Sequence, residues 1–161
     1  MHIRIAELKD LDRLTQIESL CFPIEEAADC NKIKSRIEAF PNHFFVLLSK
    51  DEQIAGFING LVYASPVLID EMFDNANLHD ENGSYQMILS LAVAPEFQGK
   101  GYGTALLHHL LKSSKEQHRK GVTLTCKKEL IPFYEKAGFL NQGRSASVHG
   151  GFEWYEMRVI F

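Results

Sequence analysis

Residues 91–107 read LAVAPEFQGKGYGTALL, and the order of features in this stretch decides the fold. Gln86 to Ala94 is apolar enough for a central strand, and Pro95 stops it. A glycine-rich turn follows, then a helix predicted from about Gly103 to His118 with Leu106, Leu107, Leu110 and Leu111 on one stripe. A loop between the end of a strand and the start of a helix gathers free main-chain amides at the positive end of the helix dipole, where a phosphate is favoured. Glycines at 99, 101 and 103 permit positive φ and close approach of a ligand to the backbone.

Two common phosphate loops fail letter by letter. A Walker loop needs glycine where Ala94 stands and Ser or Thr where Gly101 stands. A dinucleotide fingerprint read from Gly99 or Gly101 meets Thr104 or Leu106 where its third glycine belongs.

Working outward, Met1 to Ile5 alternates as a short strand, and Glu7 to Leu20 places Leu8, Leu11, Leu14 and Ile17 on one helical face. A second helix is predicted from Glu25 to Phe40, ending before Pro41. Phe44 to Ser49 and Gln53 to Tyr63 form a predicted hairpin. A polar connection from Ala64 to Tyr85 is long for a small domain and suggests a lid on the substrate side. Gly121 to Cys126 reads as a strand and Leu130 to Ala137 as a short helix capped by Gly138. Phe139 to Val148 and Phe152 to Phe161 read as strands joined at His149, Gly150 and Gly151. The order β-α-α-β-β-β-α-β-α-β-β describes a mixed sheet with helices on both faces.

The whole chain of 161 residues, 45% hydrophobic and 24% charged, suits one soluble domain spanning 1–161. The formal charge of −4 argues against a nucleic-acid partner, and no apolar run is long enough for a membrane span. Lys112, Lys115, His118, Arg119 and Lys120 cluster where a helix should end, which complements its dipole. Three cysteines without paired spacing, and no export signal, point to the cytoplasm.

After Leu91 to Pro95, the pattern Gln-x-x-Gly-x-Gly resembles the GCN5-related N-acetyltransferases. LIPFYEKAGF at 130–139 resembles the helix with a tyrosine near that family's C-terminus. TCKKELIPFYEKAGF, GRSASVHGGFEWYEM and the early FPIEEAA look most like the arylalkylamine (serotonin-type) branch. The resemblance implies an α/β acyl-CoA N-acyltransferase fold, with a mostly antiparallel twisted sheet whose central parallel strand pair splays apart. It implies acetyl-CoA as co-substrate, its pyrophosphate held by Gln98, Gly99, Lys100, Gly101, Tyr102, Gly103 and Thr104. Leu91, Ala92 and Val93 would supply backbone groups to the pantetheine arm, and Phe133 and Tyr134 would lie beside it. The implied acceptor is a small-molecule primary amine with a hydrophobic or aryl-alkyl body. A protein N-terminus or lysine is the alternative acceptor, and a non-catalytic acyl-CoA sensor the alternative to an enzyme. A monomer or a homodimer fits either.

Acyl transfer to an amine requires that an ammonium lose a proton and a thiolate be stabilised. Tyr134 matches the family's acid, although a core aromatic would read the same way. The branch's two strand histidines are replaced by Met87 and Leu89, so its imidazole relay does not carry over. Glu26 becomes the candidate base; acids in a first helical turn also simply complement the dipole. Ser90 and His79 are weaker candidates. Asp70, Glu71, Asp74, Asp80 and Glu81, around Met72 and Phe73, suggest an acidic rim with an apolar floor for a cationic amine, or merely a solvated loop. His108 and His109 diverge on their helix, so no metal is expected. Cys126 ends an apolar strand and reads as packing, not as a nucleophile.

Overall fold

The computed structural model describes residues 1–161. In chain order the elements are β1 (His2–Ile5), α1 (Leu11–Cys21), α2 (Cys30–Ala39), β2 (Phe44–Leu48), β3 (Ile54–Asn59), β4 (Val62–Tyr63) and α3 (Glu71–Asp74). Then follow β5 (Tyr85–Ile88), β6 (Ser90–Val93), α4 (Tyr102–Glu116), β7 (Gly121–Cys126), α5 (Ile131–Lys136), β8 (Leu140–Arg144) and β9 (Tyr155–Ile160).

The strands form two sheets, ordered β1-β2-β3-β6 and β4-β5-β7-β9-β8. Every pairing is antiparallel except β5 with β7, which runs parallel from Tyr85 opposite Gly121 to Ile88 opposite Leu124. The two strands predicted at 53–63 and 86–94 are each broken, near Gly60 and at Leu89. Met87 N donates to Leu61 O on one side of the break, and Leu89 N donates to Asn59 O on the other, both at 2.8 Å. The chain from Tyr85 to Val93 therefore lies in one sheet for its first half and in the other for its second.

β2, written FFVLL, is buried along its whole length because helices cover both of its faces. Phe44 and Val46 pack with Leu14 and Ile17 of α1 and Ile33 and Ile37 of α2. Phe45 and Leu47 pack with Leu106, Leu107 and Leu110 of α4, together with Val122 and Leu124. A third cluster joins Phe40, Leu61, Leu68, Met72, Phe73 and Met87. The 64–85 connection is thus largely structured: it contains α3, and its Met72 and Phe73 are core residues, of which Phe73 also lines the cleft described below.

The helix expected from Glu25 begins only at Cys30. Asp29 is extended, and its Oδ1 accepts from Lys32 N at 2.9 Å, capping the helix there. Glu26 N and Ala27 N instead both donate to Pro23 O, closing a tight turn. Glu25 and Glu26 consequently lie in a loop beside the sheet break and not in a first helical turn.

Gly60 is where the two broken strands touch. A Cβ there would fall 1.7 Å from Met87 O and 2.9 Å from Ile88 Cα. Both obstacles are backbone and cannot swing aside. Gly60→Ala is expected to destabilise the protein by about 3 kcal/mol, at the upper end of overpacking penalties, measured as a lower midpoint in urea or heat.

Candidate functional site

The loop after β6 becomes an anion cradle through its backbone. Gly99 and Gly101 adopt φ of +80° and +82°, a conformation that a Cβ disfavours, and Gly101 is the N-cap of α4. The first hydrogen bond of the helix runs from Ala105 N to Gly101 O. The amides of Tyr102, Gly103 and Thr104 have no partner within the chain and point off the positive end of a four-turn helix. Val93, Phe97, Gln98, Gly99, Gly101, Tyr102, Gly103, Thr104 and Phe133 line one open pocket here. Lys100 stands on its rim with Nζ 5.7 Å from the centre of the Phe97 ring. A Cβ on Gly99 or Gly101 would meet no protein atom, so the space their hydrogens face belongs to a ligand or to solvent.

Next to the cradle the sheet opens. β5 and β7 pair only as far as Ile88 and Leu124, after which β6 bonds to β3 alone. Ala94 N donates to Ala55 O, which sets the phase of that ladder. By the antiparallel alternation, the amides of Leu91 and Val93 then face the gap and not β3. The carbonyl of Val93 on that side accepts from Cys21 Sγ at 3.2 Å and Gln98 Nε2 at 3.0 Å. Ala92 points its side chain into the core beneath α1 and α2.

The gap widens into a cleft of about 840 Å³, the space at its open mouth included. Leu91 and Tyr134 form part of its wall. Tyr134 is 7% exposed and packs edge-on against Phe133 and Phe139. Burial pushes its phenol well above its ordinary pKa of 10, with a smaller push from Cys126. Its hydroxyl makes no hydrogen bond within the chain, so it remains a protonated donor at the cleft surface throughout the neutral range.

Glu26 also lines the cleft, but it is not a free carboxylate. Lys127 Nζ lies 2.8 Å from its Oε1, an ion-pair distance that lacks the angle of a hydrogen bond. The Lys127 ammonium in turn sits 3.9 Å from the Phe152 ring centre and 5.7 Å from that of Trp154. A second carboxylate, Glu18, is 3% exposed at the cleft floor. Its Oε2 accepts from Ala28 N at 2.9 Å and its Oε1 from Ser90 Oγ at 3.2 Å. Burial raises its pKa above 4.5 against the opposing pull of the Ala28 amide, of Arg36 and of Ser90. Arg36, itself buried, donates to Ser90 Oγ, Asn59 Oδ1 and Phe73 O.

The roof is a clasp of three segments. Asp70 accepts from Ser147 Oγ and, at 3.0 Å, from Val148 N. The His149 ring stacks on Phe73 at 4.1 Å, its Nε2 meets Glu26 O at 3.1 Å, and its carbonyl accepts from Trp154 Nε1. The bond to a carbonyl makes Nε2 the donor nitrogen, leaving Nδ1 without a proton in the neutral ring.

Glu18, Arg36, Lys127, His149 and Trp154 were not singled out by sequence. Two of them carry a signal. Glu18 continues the buried stripe of Leu11, Leu14 and Ile17, and Arg36 lies between Ile33 and Ile37; a charged residue inside an apolar stripe must have buried partners.

Most acids of the long connection have partners. Besides the Asp70 clasp, Asp74 pairs with Lys32 at 2.7 Å, and Glu81 pairs with Arg119 and His43 at 2.8 Å each. His43, His79 and Glu81 bring three possible metal-ligand atoms within 4.8 Å of one another. His79 Nδ1, however, accepts from Val62 N at 2.9 Å, which places the neutral ring's proton on Nε2, the nitrogen facing Glu81. The set works as a donor network onto Glu81 and fits a cation poorly; it also removes His79 from the cleft. Cys126 is buried and its thiol is pushed up to about 12 by burial, which suits packing rather than nucleophilic attack. No helix is long and apolar enough to cross a membrane.

Comparison with known proteins agrees with this geometry. Residues 11–139 match the model of the acetyltransferase (GNAT) family. The serotonin N-acetyltransferase of Mesocricetus auratus is 32% identical over 113 residues, 68% of this chain and 52% of that protein. An uncharacterized N-acetyltransferase, ycf52, of Porphyra purpurea is 30% identical over 80 residues, 50% of this chain and 44% of that protein. The chain thus matches about half the length of these relatives. Among solved structures, the GphF GNAT-like decarboxylase in complex with isobutyryl-CoA superposes with a TM-score of 0.86 over 99% of both chains at 20% identity. A cradle of helix-start amides beside a splayed strand pair, together with the match over residues 11–139, makes this chain a member of the GNAT acetyltransferase family.

Proposed function

We propose that the chain transfers an acetyl group from acetyl-CoA to a primary amine carrying a hydrophobic or aryl-alkyl body. The observation that carries this reading is the continuity of the unpartnered amides of Tyr102 to Thr104 with the gap at Leu91 to Val93 and with the Tyr134 hydroxyl. The pyrophosphate takes the helix-start amides, and the pantetheine arm runs along β6 as an added strand would. The thioester carbonyl meets the main chain of β6 in the gap that opens where β5 and β7 part. Phe22, Phe73, Leu89 and Trp154 supply apolar walls for the acceptor. The clasp over the cleft favours a small molecule over an extended peptide.

Proton removal falls to Glu18 acting through Ser90, in place of Glu26. Glu18 is buried without a cation in direct contact, and Ser90 Oγ connects it to the cleft. Tyr134 delivers a proton to the departing thiolate. The amine attacks directly, with no acyl-enzyme intermediate.

A second reading rests on charge. Both cleft carboxylates have a cation nearby, Lys127 for Glu26 and Arg36 for Glu18, so the cleft has no surplus negative charge to attract an ammonium. A carboxylated acyl thioester is then the alternative substrate, losing carbon dioxide as in the GphF decarboxylase. Incubation with malonyl-CoA, followed by assay for carbon dioxide and acetyl-CoA, separates this reading from amine-dependent thiol release.

Gly101→Val is expected to weaken acetyl-CoA binding at least about tenfold, because it strains the φ of +82° and fills the ligand side of the cradle. Titration calorimetry checks this, and no heat from the unaltered protein would remove the reading altogether. Tyr134→Phe is expected to lower kcat by roughly 10² or more while leaving the Kd for acetyl-CoA unchanged.

Glu18→Gln should lower kcat comparably and abolish the ascending limb of the pH–rate profile, which in the unaltered protein follows deprotonation of a carboxyl raised above 4.5. Stability changes in the opposite sense. A raised folded-state pKa favours the fold below the unfolded value, and that contribution is lost as pH rises through the folded value. The Gln variant should therefore show a flatter dependence of its urea midpoint on pH from 4.5 upward.

A further inference from the structure

We propose that Lys127 is itself an acyl acceptor, acetylated by its own chain from bound acetyl-CoA. The inference rests on the acetyl-CoA reading above and adds a modification site to it. Lys127 directly follows Cys126 at the end of β7, the strand whose parting from β5 makes the gap. Its side chain lines the same cleft as Leu91 and Tyr134, the residues between which that reading places the thioester. It is 30% exposed, neither sealed in the core nor free in solvent.

The surroundings are those of a bound amine substrate. One carboxylate oxygen, Glu26 Oε1, is 2.8 Å from Nζ, and two aromatic faces, Phe152 and Trp154, lie against the ammonium. A carboxylate and π faces are the groups that select an alkylammonium from solution. Here the chain has filled such a subsite with its own lysine, its Nζ five bonds from Cα, so attack would be intramolecular.

The step balances without a further reagent. Glu26 takes one proton from the Lys127 ammonium. The freed Nζ lone pair forms a bond to the acetyl carbonyl carbon, and the carbon–sulfur bond breaks. Coenzyme A leaves as the thiolate and takes a proton from Tyr134, which solvent restores. The second proton lost by nitrogen passes to solvent, as does the one held by Glu26, and solvent returns one to Tyr134, so the net products are acetyl-Lys127, coenzyme A thiol and one proton.

The product differs from its parent in charge. Acetylation removes the cation that neutralises Glu26, leaving a bare carboxylate beside two aromatic faces. A cleft without surplus charge becomes one that attracts an ammonium. Self-acetylation would thereby prepare the acceptor subsite for a cationic amine.

The test uses the intact protein with acetyl-CoA alone, sampled over time and mapped by peptide mass spectrometry. The exposed Lys50 serves as the measure of background chemical labelling. Lys127 is expected to acquire one acetyl group at least about tenfold faster than Lys50, with a rate constant unchanged on dilution of the protein, as an intramolecular reaction requires. Glu26→Gln should slow labelling of Lys127 and leave Lys50 unaffected. Lys127→Arg, which keeps the cation, should remove the labelled peptide. Labelling of Lys127 no faster than Lys50, with acetyl-CoA binding intact by calorimetry, would overturn this proposal and leave the transferase reading standing. Loss of binding itself would overturn both.

Discussion

The constraint on which the structure depends is the change of partner along Tyr85 to Val93. A strand that continued to pair with β7 beyond Ile88 would close the sheet and leave no cleft. At Leu89 the strand leaves β7 and joins β3, whose own continuation breaks at Gly60 on the same level. The contact of Gly60 with the carbonyl of Met87 holds the two breaks together. Main-chain amides that a regular sheet would have satisfied are thereby left facing a gap, a costly arrangement unless a ligand or water completes them. The cradle at the head of α4 lies at the end of that gap because β6 runs straight into it.

Much of this was legible in the chain. The strand, glycine loop and helix at 91–107 are specified by local chemistry: a proline stop, glycines at positive φ and a leucine stripe. The pocket brings together most of the loop residues expected there, while Leu91 and Tyr134 line the adjoining cleft and Ala92 turns into the core. Tyr134 also reaches the cleft, since the short α5 packs against β8 and β9 and carries it inward. The break at Leu89 was not legible, because nothing in QMILSLAVA marks a change of partner; the pairing is set by strands far away in sequence. The length of the second helix was misread because Asp29, and not Glu25, provides the cap.

The charges show a further limit of local reading. Asp70, Asp74 and Glu81 were grouped because they are close in sequence, yet each has a partner elsewhere: Ser147 and Val148, Lys32, and the pair of His43 and Arg119. Glu26 lies beside the cleft, but its pairing with Lys127 leaves it no free carboxylate, which its sequence neighbourhood does not show. Only residues in register with an apolar stripe betray a buried polar role from sequence, as Glu18 and Arg36 do. His149 and Lys127 follow no such register, one lying in an irregular loop and the other just past a strand end.

The position of the proposed proton acceptor is argued from the same geometry. In the proposed reading the thioester contacts come from main-chain atoms, so the side chains of β5 and β6 can vary without disturbing cofactor geometry. Met87 is buried in the cluster around Phe40 and Met72, and Leu89 presents only hydrocarbon to the cleft. With no carboxylate or imidazole on that strand upstream of the break, the proposed proton path enters from the opposite wall. Ser90 is the first polar side chain past the break, and it faces α1, where Glu18 waits at 3.2 Å. Burial keeps that carboxyl closer to neutrality than a surface acid, while Arg36 behind Ser90 limits the rise. In the proposed mechanism this makes Glu18 a base held by three elements, α1, α2 and β6, whose separation in sequence hides it until the fold is formed.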